Sequence, residues 1–151
     1  MGTLNTTNAN LTGNLSTPNR PMFNLATQSI QSPANTWTSD TILYNVDANV
    51  DTTSSWNKST GKYVIPVAGH YFIWFDGTTN DSDSHFIEVW HSGFSTSARL
   101  YNTRALQYGD AFRSGSISFI VNSAVGDEVT WRRRGSAYDF YSVSIGLYLI
   151  G

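Results

Sequence analysis

From Met22 onward the chain is a succession of short aromatic and β-branched runs, each closed by Gly, Pro, Asn, Asp or Ser, at a spacing of roughly ten residues. The runs are Met22–Ile30, Thr41–Val46, Lys62–Ile65, His70–Phe75, Phe86–His91, Ile117–Val121, Val129–Trp131 and Tyr141–Leu147. None of them is long enough for a helix of ordinary length. Composition points the same way. Ser, Thr and Asn number 19, 17 and 13, whereas Lys and Glu number two each, so good helix formers are scarce. The pattern predicts an all-β domain of eight or nine strands, a sandwich or a jelly roll. Only residues 97–107 fit neither period.

Two of these strands are apolar on both sides. In 70–75, Tyr71, Ile73 and Phe75 share one face while Phe72 and Trp74 take the other. In the last strand Val143, Ile145, Leu147 and Leu149 oppose Tyr148 and Ile150. A strand apolar on both flanks must be covered on both. One flank fills the sandwich core, and the other calls for a neighbouring copy or a loop of the same chain.

Residues 1–20 are polar, uncharged up to Arg20 and free of aromatics, and Pro18 and Pro21 set them off from the rest of the chain. They read as an extended arm or attachment segment, or as a disordered tail, ahead of a head domain at 21–151. With 151 residues the chain buries a real core unaided. It has no Cys, which excludes disulfides, thiolate metal sites and a Cys nucleophile. Its formal net charge of −2 argues against nucleic-acid binding. No apolar run approaches the roughly 18 residues of a membrane span, so no membrane insertion is expected.

Three segments carry a family resemblance. Trp56-Asn57-Lys58-Ser59-Thr60-Gly61-Lys62-Tyr63 leads at fixed spacing into Pro66-Val67-Ala68-Gly69-His70-Tyr71. This is similar to the T-G-K-aromatic and P-x-x-G-x-Y signature of the globular head of complement component 1, subcomponent q. Val89-Trp90-His91-Ser92-Gly93 resembles a strand of that family ending in a short turn, and Gly126-Asp127-Glu128-Val129 resembles its G-D-x-V turn. Ile145-Gly146-Leu147-Tyr148-Leu149 resembles the terminal strand in which that family and the tumour necrosis factor superfamily keep a glycine. Ile73 and Ser144 stand where the family has Phe. The resemblance implies a non-enzymatic jelly roll of about ten antiparallel strands, assembled as a homotrimer. On that basis the expected interface residues are Phe23, Phe72, Trp74, Phe119 and Tyr148.

The remaining candidates are sites for ligands. Trp37 and Trp90 are the aromatics expected to read a sugar face, and Arg132, Arg133 and Arg134 form the one cationic run, suited to carboxylate, sulfate or phosphate. Asp76, Asp81 and Asp83 lie in an oxygen-rich stretch that makes them candidate calcium ligands, although such stretches also arise from turn chemistry alone. No other cofactor is implied. There is no G-x-S-x-G elbow, and no paired carboxylates sit in a recognisable motif, so an enzyme is not expected. The expected function is that of a virion surface protein: either a phage fibre or spike head that binds a host-surface glycan or protein, or a trimeric capsid decoration protein. Residues 1–20 would then meet other virion proteins. The alternative is a secreted, complement-like recognition lectin.

Overall fold

The computed structural model describes residues 20–30, 36–41, 46–79, 86–93, 99–104, 113–135 and 140–150. They form eleven strands: β1 (Met22–Ile30), β2 (Thr36–Thr41), β3 (Val50–Asp51), β4 (Trp56–Asn57), β5 (Lys62–Val64), β6 (Gly69–Thr79), β7 (Phe86–His91), β8 (Arg99–Arg104), β9 (Arg113–Ser123), β10 (Glu128–Gly135) and β11 (Phe140–Leu149). One sheet runs β3-β1-β11-β6-β9 and the other β4-β5-β10-β7-β8, with β2 also pairing β10. Every pairing is antiparallel. The first and last long strands lie side by side, Phe23 opposite Leu147 and Leu25 opposite Ile145.

Most predicted runs fall on strands, and β6 and β9 extend beyond them. Of the second run, Thr41 closes the strand Thr36–Thr41 and 42–45 lie outside the described residues. The ambiguous stretch 97–107 contains β8.

Alternation fills the core between the sheets. Phe23, Leu25, Tyr71, Ile73, Phe75, Val143, Ile145 and Leu147 project from the first sheet, and Tyr63, Val89, Val129 and Trp131 from the second, all nearly or wholly buried. Burying each large apolar side chain contributes about 1.5–3 kcal/mol. Phe23 is the hub of an aromatic cluster, with ring centroids 4.9 Å from Trp56, 5.2 Å from Tyr63 and 5.6 Å from Trp131. The two sheets are also tied by the Trp131 indole N–H, which donates to the Trp74 carbonyl at 3.0 Å.

The resemblance motifs have physical roles. Gly61, at φ 64°, turns the β4–β5 hairpin and donates its N–H to the Asn57 carbonyl at 2.8 Å. After Pro66 the chain swings into β6 through Gly69, at φ 153°. The Tyr71 hydroxyl donates back to the Val67 carbonyl at 2.7 Å, which closes the corner. Burial pushes the Tyr71 phenol up to about 12.

Candidate functional site

The outer face of the first sheet is the surface the core does not use. In β6 the residues between Tyr71, Ile73 and Phe75 are Phe72 and Trp74, and both point outward. Register places Phe72 between Tyr148 and Ile120, and Trp74 between Gly146 and Ser118. The Phe72 and Tyr148 rings lie 5.4 Å apart, Phe72 and Trp74 6.1 Å, and Trp74 and Tyr148 6.3 Å. Around this aromatic triangle Ile120 is 61% exposed, Met22 42% and Tyr148 41%. These are large apolar side chains left in water on one contiguous sheet face.

Gly146 is what lets the triangle form. A Cβ there would stand 2.2 Å from two atoms of the Trp74 ring and 2.5 Å from the Phe23 carbonyl oxygen. The indole therefore covers the bare backbone of β11 at Gly146. A shallow apolar hollow of about 450 Å³ opens in front of Trp74 and Tyr148. The other half of the same face is polar, a depression of about 660 Å³ lined by Asp76, Thr78, Ser114, Ser142 and Ser144 among others.

Of the expected interface residues, Phe72, Trp74 and Tyr148 come together here, and two do not. Phe23 is 0% exposed at the hub of the core, because β1 turns Phe23 and Leu25 inward and leaves Met22 and Asn24 outside. Phe119 shares the inward parity of Ile117 and Val121 and packs against the core, so Ile120 takes the outward place. Alternation of Ser116 and Ser118 with Ile117 held that signal, but the unbroken run Phe119-Ile120-Val121 masks it.

The ligand candidates separate. Trp90 and Arg132 meet on the outer face of the second sheet, with the guanidinium carbon 4.2 Å from the indole ring centroid. The Trp90 N–H donates to Glu88 Oε2 at 2.9 Å. Glu88 is fully buried. Burial pulls the Arg132 guanidinium down, against the opposing fields of Glu88 and Glu128. The indole thus carries the guanidinium on its face, and the arrangement is a packed Glu–Trp–Arg stack. β10 runs through Arg132, Arg133 and Arg134, which stand opposite Glu88, Ile87 and Phe86 of β7. Trp37 lies in β2. Of the candidate calcium ligands, Asp76 lies within β6, opposite Ser144 and Ser116. Asp81 and Asp83 lie outside the described residues.

A Ser–His–Asp set that the sequence motifs do not reveal sits at one end of the sandwich. His91 Nε2 is 2.8 Å from Ser123 Oγ and 3.7 Å from Asp127 Oδ2. Its Nδ1 accepts the Gly93 amide hydrogen at 3.1 Å. The ring proton is therefore on Nε2 and is donated toward Ser123. A triad base needs its lone pair at the serine and the carboxylate on the other nitrogen. Here both are reversed, and His91 and Ser123 are buried. The set cannot activate a nucleophile.

No family model matches the chain, and no curated protein matches it. Solved structures do. The globular domain of zebrafish complement 1qA superposes with a TM-score of 0.65 at 13% identity, covering 87% of this chain and 98% of that one. Murine APRIL superposes with TM-scores of 0.64 at 10% identity (pH 8.0) and 0.66 at 12% (pH 5.0), each covering 87% of this chain and 99% of that one. The fold is therefore the jelly roll that these structures share.

Proposed function

We propose that this chain is a non-enzymatic, homotrimeric binding head whose copies join through the outer face of the β3-β1-β11-β6-β9 sheet. The observation that carries the reading is the exposed apolar face built on Phe72, Trp74, Tyr148 and Ile120. Covering such side chains contributes about 25 cal/mol per Å² of apolar surface. The fold supports the reading, since the resemblance drawn from the motifs implies this assembly. In this reading the second sheet stays outside the interface, where it would meet a host-surface glycan or protein. Display on a virion, with residues 1–20 as the attachment segment, completes the proposal; the polar, uncharged arm and the cysteine-free composition support it.

Light scattering tests the assembly. The expected mass is three times the 16.7 kDa of one chain, falling to one chain in Ile120→Asp with the far-ultraviolet spectrum kept. A well-folded single copy at tens of micromolar, or an Ile120→Asp variant that still assembles, would overturn it. Co-sedimentation with particles, lost on deletion of residues 1–19, tests the display separately.

A further inference from the structure

The cluster that fails as a catalytic triad is well built as something else. His91 ends β7, Ser123 ends β9, and Asp127 stands at the start of β10, so three side chains tie the Ser92–Gly93 turn to the β9–β10 turn. Asp127 Oδ2 accepts the Ala124 amide at 2.7 Å and its Oδ1 accepts the Ser92 hydroxyl at 3.4 Å. The Glu128 amide donates to Ser92 Oγ at 2.8 Å. Gly93 packs so closely that a Cβ there would meet the Asp127 carboxylate at 2.8 and 3.0 Å and His91 Cε1 at 3.0 Å. A side chain at this position would push the carboxylate and the imidazole aside.

We propose that His91 works an acid-released clasp between the Ser92–Gly93 turn and the β9–β10 turn. The neutral ring joins the two by accepting at Nδ1 and donating at Nε2. A second proton must go to Nδ1, where the Gly93 N–H already points. Two donors then face each other across 3.1 Å, and the turn has to leave. Nε2–H keeps Ser123 or swings to Asp127, so the charged ring is drawn toward the β9–β10 turn and away from Gly93.

The charged groups around the ring are few among the described residues. Asp127 faces it at 3.7 Å from the β9–β10 turn. Glu128, on the paired strand β10, is held on the opposite face by Lys62 at 2.6 Å. Glu88, on β7 itself, also lies on that opposite face with Trp90. From β9 the ring meets the Ser123 hydroxyl at 2.8 Å. Burial lowers the His91 pKa below its usual 6.5, and Asp127 offsets part of that. A histidine depressed in the fold contributes stability that is whole above about pH 6.5 and is lost as pH falls below that value.

Amide exchange by NMR on the full chain tests the clasp. The Gly93 and Ala124 amides should open more as pH falls below about 6.5, by at most about tenfold per pH unit for one linked proton, and level off below the ring's own midpoint. The His91 ring should titrate with a midpoint below 6.5, moving lower still in Asp127→Asn and higher in Ser123→Ala, where Nε2–H turns to the carboxylate. His91→Gln should abolish the pH dependence at Gly93. Exchange at Gly93 that stays flat from pH 7.5 to 5 after correction for intrinsic rates, a ring midpoint at or above 6.5, or an unmoved midpoint in both Asp127→Asn and Ser123→Ala would each overturn the proposal. The last two readings do not depend on His91→Gln folding.

Discussion

Gly146→Ala is the smallest change that strikes the candidate face. The added methyl would stand 2.2 Å from Cη2 and Cζ2 of Trp74 and 2.5 Å from the Phe23 carbonyl oxygen. The ring can swing off the sheet, but the carbonyl belongs to β1 and moves only with its strand. Overpacking of this kind costs about 1–3 kcal/mol. If β6 is pushed outward as well, the buried Trp131 N–H loses its acceptor at the Trp74 carbonyl, at a further 1–3 kcal/mol or so. For a chain of this length each kcal/mol lowers Tm by roughly 2–4 °C, so a drop of about 2–12 °C is expected from the clash alone. The displaced indole would also break the triangle with Phe72 and Tyr148, and light scattering should show the proposed assembly weakened relative to the parent. In a Trp74→Ala background the same substitution should cost less, with a coupling of about 1 kcal/mol or more, because the ring contact is gone while the Phe23 contact stays. A Gly146→Ala protein that melts within a degree of the parent and keeps its mass would refute the reasoning, and with it the placement of Trp74 over Gly146.

Other substitutions probe the fold and the second sheet. Arg132→Ala removes the guanidinium facing buried Glu88 and should cost about 1–3 kcal/mol by urea unfolding, with a smaller loss when Glu88→Gln is added. Lys62→Ala breaks a pair whose side chains are 36% and 41% exposed; its cost should stay under about 1 kcal/mol and shrink further in salt. Tyr71→Phe deletes the hydroxyl that closes the Pro66–Gly69 corner and should lose about 1 kcal/mol in thermal melts.

How much of the fold and the face is legible in the sequence depends on whether the signal is local. Alternation in β6 and β11 is local, and it separates Phe72 and Trp74 from Tyr71 and Ile73, and Tyr148 from Ile145, before any pairing is known; the β6–β11 register then brings Tyr148 beside Phe72. The P-x-x-G-x-Y corner is local too, since its hydroxyl-to-carbonyl bond spans four residues. Parity fails where apolar residues run without a break, as at Phe119-Ile120-Val121, because nothing in the run says which member points inward; the β6–β9 register decides it by setting Phe119 against Ile73 and Ile120 against Phe72. Phe23 shows a different failure. Its own strand alternates cleanly, but a large aromatic near the start of a domain is equally at home in a core or an interface. The choice is made by Trp56, Tyr63 and Trp131, which reach it from across the sandwich. The His91 cluster is the least readable. Its members lie 32 and 36 residues apart; Asp127 is brought near because β7 pairs with β10, setting His91 beside Val129, and Ser123 reaches the ring from β9 of the other sheet. The sequence rule for a Ser–His–Asp site would also misread it, since the function of the set rests on which ring nitrogen holds the proton. That is fixed by the Gly93 amide, a backbone group with no signature in the sequence.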